Sequence, residues 1–525
     1  VKDIQTRTTE DDVTTPSPSL RIAVVGAGFA GLSTAKVLLE RGHQVTVFDR
    51  TPDVGGVWSR TRRYPGLTTQ NGRGTYSLSE FPMPSSFPEW PTGEQVQQYL
   101  HAYAAQFGLF PSIRLETEVE GAELDEQTGT WTLRTRDVGT GAANPAAEFD
   151  HLVVANGIFS EPSVPDYPGV EEFTAAGGRL CHASEFTDLE DARDRDVLVV
   201  GYGKSSCDVA VALSEVARST NVVTREVLWK MPRRLGGVVN YKYLLLTRLG
   251  EGLFRYVEPN RVEAFLHGPG KAVRDGMLGS IQSLVVKQLK LTELGLVPEG
   301  SLERIARSTV SLASDGFFEA VADGTISVRR ECRVEELLVL EGRPVARLSD
   351  GSLVPADVVV CGTGFRQRVP FLSERDQARL QDERGNFELY RQILPHDLPS
   401  TTFCGYNSSF FSPLSAEVAA WWIAEHLAGG LDLPPLERRR AHVAARLRWM
   451  EQRTEGKHAR GTNIIPFSIH NIDEMLSDLG VGVGALTRFS EWLVPLRPTA
   501  YAALSRRLRR RHPQASRSLD PVPAA

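Results

Sequence analysis

The chain has no C-x-x-C pair, no run of 18 apolar residues, no excess of basic charge and no internal repeat. Each absence excludes something. The five cysteines, Cys181, Cys207, Cys332, Cys361 and Cys404, are odd in number and far apart. That excludes a disulfide framework, a cysteine zinc site and a vicinal redox pair. Without a long apolar run, no membrane-spanning helix is expected. A net charge of −6 gives no sign of a nucleic-acid binder. Residues 1–19 lack the apolar core of a secretory signal and read as a disordered lead-in. Together with the unpaired thiols this points to a reducing cytoplasm. What remains is an ordinary globular composition, 41% hydrophobic and 24% charged over 525 residues, enough for two or three domains.

Against that background two glycine-rich turns stand out. The apolar run "LRIAVV" at Leu20–Val25 meets "GAGFAG", with glycines at Gly26, Gly28 and Gly31, and "LSTAKVLLERG" follows with helical character. A second strand, "QVTVFDR", ends at Asp49, 18 residues after Gly31. This is the strand–turn–helix–strand–acid order of a dinucleotide site. The first glycine makes the tight turn, the second admits the pyrophosphate, the third lets helix pack on strand, and the acid meets a ribose hydroxyl. The pattern alone is weak, since 46 glycines in 525 residues produce it by chance roughly a third of the time. The flanking strands, helix and terminal acid make it specific.

The second turn follows "RDVLVV" and reads "GYGKSSCDVAVALSEVA", with Gly201, Gly203 and a small Ser206 at the three positions. Lys204 and Ser205 open the helix, beside the expected phosphates. The next strand, "TNVVTR", ends at Arg225 instead of an acid, 19 residues after Ser206. An acid there would repel a 2′-phosphate, whereas a guanidinium pairs with it; a solvated strand-end charge is the plainer alternative. Lys230 and Arg233 are further candidates for the same phosphate. The first site therefore suits FAD and the second NADPH. Two such sites imply a hydride relay from nicotinamide to flavin. The expected fold is α/β, with two Rossmann-like dinucleotide-binding domains.

Further motifs appear in order: "DVGGVW" at Asp53–Trp58, "YPGLTTQNGRGTYSLSEFPMP" at Tyr64–Pro84, "VVANG" at Val153–Gly157 and "CGTGF" at Cys361–Phe365. With "GAGFAG", "GYGKSS" and the late helix "AEVAAWWIAEHLAGG" they resemble the class B flavin-dependent monooxygenases, in their flavin-containing monooxygenase branch, over roughly residues 20–480. The resemblance implies that the NADPH domain is inserted into the FAD domain. It divides the chain into an FAD domain at 20–190 and 336–480 and an NADPH domain at 191–335, with a helical insertion at 229–291 and a C-terminal extension at 481–525. It adds Gly56, Trp58, Gly157 and Gly364 to the cofactor residues. An Asn in a "TxN" context contacts the flavin's reactive side in this family, which carries over to Asn71, with Gln70 beside it. An amide donates and accepts hydrogen bonds without titrating. The nearby aromatics Tyr76, Phe81 and Trp90 read as packing. Thr92–Gln95 reads as a capping box opening a scaffold helix.

The implied chemistry is NADPH reduction of FAD, O₂ addition at flavin C4a, and transfer of one oxygen atom from the (hydro)peroxyflavin to a small-molecule substrate. No metal and no protein nucleophile is needed. A hydroperoxide oxygenates a soft amine or sulfide, while a deprotonated peroxide inserts oxygen beside a ketone. The family fingerprint between the turns reads "AGGRLCHASEFT": Gly178, His182 and Phe186 match, Ala176 replaces the leading aromatic, and Thr187 stands where Baeyer–Villiger enzymes carry Pro. These departures, with Gln70 in place of an Asp, favour N- or S-oxygenation, with N-oxygenation first. Baeyer–Villiger oxygenation and a membrane-associated NADPH:quinone-type reductase are the alternatives. His182 reads as a linker residue rather than a proton carrier. Arg233, Arg234 and Lys242 in the insertion suggest a carboxylate-bearing, amino-acid-like amine. The tail "TAYAALSRRLRRRHP" reads as a docked terminal helix, with a membrane-surface patch as the sharper option. Oligomeric state stays open, a homo-oligomer included.

Overall fold

The computed structural model describes residues 19–307, 311–456 and 460–512; the lead-in up to Pro18 and the tail beyond His512 lie outside them. Two five-stranded parallel sheets organise the chain. In the first, Arg21–Val25 lies between Gln44–Phe48 and His151–Val154, with Ile113–Arg114 and Thr401–Phe403 outermost. In the second, Asp196–Val200 lies between Ser219–Val223 and Val358–Cys361, with Ile326–Arg329 and Arg179–His182 outermost. Ile22–Val24, Val197–Val199 and Val358–Cys361 are all fully buried. That is why these strands read as continuous apolar runs: helices cover both faces of a parallel sheet.

The sheet assignments correct the expected domain boundaries. The cut at 190 would strand Arg179–His182, and the cut at 336 would strand Val358–Cys361, yet both are hydrogen-bonded members of the second sheet. The antiparallel ribbon Val334–Leu340, Arg343–Leu348 and Leu353–Pro355 also shares a core with the second sheet through Leu337, Ala346 and Leu198. The chain enters the second half near Ser163 and leaves it near Thr363. At the crossing, Glu161–Pro162 pairs antiparallel with Phe365–Arg366, and the Ser163 amide donates to the Gly364 carbonyl at 3.0 Å.

The helix Phe29–Glu40 packs against Ser412–Leu427, and both are buried along most of their length. This pair seats the first sheet. Glu417 on the later helix accepts from the Ser79 amide (2.7 Å) and hydroxyl (3.0 Å), tying down the glycine- and aromatic-rich segment. Burial pushes the Glu417 carboxyl up to about 7. Thr92 and Gln95 form the expected capping box on Gly93–Gln106, whose Val96, Tyr99, Leu100 and Tyr103 are buried. The insertion is helical at Lys242–Leu245, Arg248–Gly252, Arg261–Leu266 and Lys271–Gln288. His470 clamps it to the body, with Nδ1 2.8 Å from Glu251 and Nε2 2.7 Å from Glu263. The terminal helix Ala502–Arg509 is docked: Leu504 and Leu508 are buried, and Arg509 pairs with Glu40 and Glu80.

Candidate active site

Each glycine turn opens into a cavity, and the two cavities share a wall. Gly26, Gly28, Asp49, Gly56 and Gly157 line the first. Gln70, Asn71, Gly203, Lys204, Ser205 and Gly364 line the second. Val57, Trp58, Arg62, Tyr76, Phe159, Asn407 and Ser412 line both. Gly28 and Gly203 thus face one continuous cleft, with the Trp58 loop between them.

The first turn performs its expected roles geometrically. Gly26 sits at φ +118°, where a Cβ would lie 2.3 Å from the Ala155 carbonyl oxygen. A Cβ on Gly31 would lie 1.8 Å from the Gly26 carbonyl oxygen, so helix and strand meet there as bare backbone. Gly28 faces Gly56 across a narrow slot: a Cβ on Gly56 would lie 3.2 Å from the Gly28 Cα. Asp49 closes the loop: Oδ2 accepts from the Ala27 amide at 2.6 Å, and Oδ1 accepts from the Thr51 amide and hydroxyl at 2.9 and 2.7 Å. A backbone slot at a helix N-terminus and an acid at the next strand end fit the pyrophosphate and ribose of FAD.

The second turn repeats the plan with different contacts. Gly201 has φ +117°. Ser206 Oγ donates to the Gly362 carbonyl at 3.2 Å, and a Cβ on Gly362 would lie 2.0 Å from that hydroxyl. The Ser at the third position is therefore a packing residue on the returning strand. It does not line the cleft, nor do Gly201 and Gly31. Arg225 is exposed at its strand end and has no hydrogen bond or ion pair among the described residues. This suits it to an incoming phosphate.

Three other expected phosphate ligands are already engaged. Lys204 pairs with Asp208 one turn later, where Ser314 and Tyr64 also donate, at 2.5 and 3.3 Å. Lys230 is buried against the Ser311 hydroxyl at 3.1 Å, and burial lowers its pKa. Arg233 pairs with Asp315, donates to Thr68 Oγ1 at 2.6 Å and lies over Trp90. The residues expected to attract a substrate carboxylate are engaged in the same way. Arg234, Lys242 and Asn240 converge on Glu89 at 2.5, 3.0 and 2.7 Å.

Arg62 was not foreseen. It sits in the wall common to both cavities and donates to the Phe159 carbonyl. Burial lowers its pKa, with Arg50 adding repulsion. The run "RTRR" after "GGVW" was its only sequence signal. Tyr76, read as packing, does stack edge-on against Phe29 and Trp58 but also lines the cleft. His182 caps a short turn through Ser184, with burial lowering its pKa, which supports a linker role. Phe173, three residues before Ala176, packs on Gly178: a Cβ on that glycine would come 2.4 Å from its ring.

Asn71 is 2% exposed. Its Nδ2 donates to the Phe410 carbonyl, and its Oδ1 accepts from the Tyr241 hydroxyl at 3.0 Å. Gln70 accepts twice, from Tyr241 at its main-chain carbonyl (2.8 Å) and from the Leu312 amide at Oε1 (3.2 Å). Among the described residues no Asp or Glu lines the second cavity and no cluster suited to a metal occurs.

Two parallel sheets with adjoining dinucleotide slots define a flavoprotein oxidoreductase that also binds a nicotinamide nucleotide. Residues 19–485 match the model of the flavin-binding monooxygenase-like family. The chain is 27% identical over 446 residues to flavin-containing monooxygenase 1 of Canis lupus familiaris, covering 81% of this chain and 77% of that one. In fold it is similar to S-allyl-L-cysteine S-oxygenase from Allium sativum (TM-score 0.60, 19% identity, 96% of each chain). It is also similar to closed cyclohexanone monooxygenase (TM-score 0.68, 16% identity, 88% of this chain and 98% of that one). The chain belongs to the flavin-binding monooxygenase-like family. It is an NADPH-dependent monooxygenase that uses FAD. No helix among the described residues is long and apolar enough to cross a membrane.

Proposed function

We propose that this enzyme transfers one oxygen atom from O₂ to a soft, uncharged nucleophile, an amine nitrogen first and a sulfide sulfur second. The reduced flavin supplies the oxygen activation when bound; the chain's residues position it, exclude water and control protons. Asp49 and the Gly26–Gly28–Gly56 slot would hold FAD. Gly203, Ser205 and Arg225 would hold NADPH. Trp58 and Arg62 would separate and orient the two.

The observation that carries the choice of substrate is the lining around Asn71. Among the described residues it contains amide, hydroxyl and aromatic groups, the cations Arg62 and Lys204 and the imidazole of His182, but no carboxylate. Arg62 is held by the Phe159 carbonyl and Lys204 by Asp208, and no carboxylate is there to take the oxygen's proton; a protonated, electrophilic oxygen suits heteroatoms over ketones. Thr187 and Gln70 support the same reading. An amino-acid substrate loses support, because Glu89 and Asp315 neutralise the basic residues that would attract its carboxylate. Cytoplasmic residence remains part of the proposal.

The test is to supply NADPH and air with a tertiary amine, a thioether and a cyclic ketone in parallel and weigh the products. N-oxide or S-oxide, one oxygen heavier, is expected, with little or no lactone. Lactone formed faster than either would reverse the assignment.

A further inference from the structure

The helical insertion reaches Asn71 in the candidate active site through Tyr241. Tyr241 is fully buried, and its amide donates to the Arg233 carbonyl at 3.1 Å. Its hydroxyl lies 2.8 Å from the Gln70 carbonyl oxygen and 3.0 Å from Asn71 Oδ1. Both of these are acceptors, so the single phenolic proton is shared between them.

The orientation of the Asn71 amide follows from its partners rather than from the placement of its atoms. The Phe410 carbonyl can only accept, so it must face Nδ2. Tyr241 then faces Oδ1 and donates. Two partners of opposite polarity on opposite sides fix the amide against a flip. One Nδ2–H is consumed by Phe410, and the second has no acceptor among the described residues, beside a cavity that Asn71 and Trp58 both line.

We propose that Tyr241 is a positioning residue that locks the Asn71 amide so that an N–H, and not the carbonyl oxygen, is offered to the cleft. This rests on Asn71 being the amide that serves the flavin. A donor at that point stabilises developing negative charge, while a carbonyl oxygen there would repel it. The insertion thereby contributes to oxygen transfer without touching the reacting atoms. Gln70, held by the same hydroxyl, is fixed together with Asn71.

The test compares Tyr241→Phe, Asn71→Ala and the double variant as full-length, FAD-loaded enzymes. Tyr241→Phe is expected to keep its flavin and to be reduced by NADPH within twofold of the parent rate. The fraction of NADPH lost to H₂O₂ should rise about tenfold. The double variant should be no worse than Asn71→Ala, because both remove one function. A readout independent of turnover is the side-chain amide resonance of Asn71 in ¹⁵N-asparagine-labelled enzyme, assigned by its loss in Asn71→Ala. It should shift in Tyr241→Phe, and its two protons should exchange at different rates in the parent. Asn71→Ala that stays fully coupled would overturn the role of Asn71 itself. An uncoupled Asn71→Ala beside a coupled Tyr241→Phe with an unmoved resonance would overturn only the role of Tyr241. Should Tyr241→Phe fail to fold, equal exchange of the two amide protons in the parent would overturn it equally well.

Discussion

The two dinucleotide halves share a sheet order and a turn but not the way they close. In the first, Gly31 meets Gly26 as backbone on backbone, and Asp49 bonds the turn itself through Ala27. In the second, Ser206 reaches across to Gly362 on a different strand, and Arg225 bonds to nothing within the described chain. The first turn is thus braced by its own strand-end acid, while the second leaves its strand-end charge in solvent. The same motif, with one glycine changed to serine and one acid to arginine, closes in two ways.

That contrast can be broken most severely at Gly31. Gly31→Ala places a methyl 1.8 Å from a backbone oxygen that cannot yield. We expect protein that is insoluble or colourless, with FAD affinity reduced more than 100-fold by fluorescence titration. A yellow, fully loaded Gly31→Ala would remove the distinction between the halves.

Glu417 tests whether the seat of the first half depends on pH. Its folded-state pKa, about 7, is above the ordinary carboxyl value, so the folded protein holds this proton more tightly than the unfolded chain. Its stabilising contribution is therefore complete below about pH 4.5 and falls as pH rises towards 7, by at most ~3 kcal/mol. Glu417→Gln keeps an acceptor for the Ser79 amide and a donor for its hydroxyl. It should melt higher than the parent at pH 8 and nearly level with it at pH 5. Parallel melting curves at both values would count against the shift.

Arg225→Ala sharpens the comparison from the other side. NADPH should lose about 50-fold in KM, roughly 2.3 kcal/mol, while NADH and bound FAD are little affected. An equal loss for NADPH and NADH would mean that Arg225 does not read the 2′-phosphate. Ser206→Ala has the smallest expected effect. It removes one hydrogen bond to Gly362, about 1 kcal/mol of stability by denaturant titration, with the fold and FAD content intact.

How much of this was legible beforehand depended on distance along the chain. The glycine turns, the strand-end acid and arginine and the Thr92 capping box are local patterns, and each lies where the sequence puts it. Sheet membership is not local. Arg179–His182 and Val358–Cys361 look like any short apolar run, and only their pairing partners assign them to the second half. Arg233, Arg234 and Lys242 looked available because their carboxylate partners are distant: Glu89 lies about 150 residues before Lys242, whereas the Lys204–Asp208 pair is one helical turn and could be read locally. Tyr241 likewise carries no local motif, and only the fold brings it to Asn71, 170 positions away. Charge and hydrogen-bond balance become readable only after long-range contacts are known.

The crossing between the halves has a consequence for modularity. Because Glu161–Pro162 and Phe365–Arg366 run side by side, the entry and exit of a roughly 200-residue unit lie at adjacent points on its host. Removing that unit would leave the host a gap that a short graft could span at little entropic cost. The nicotinamide half is thus threaded into its host at a single crossing, while His470 and Tyr241 fasten its helical insertion to the host at further points that any replacement module would have to supply.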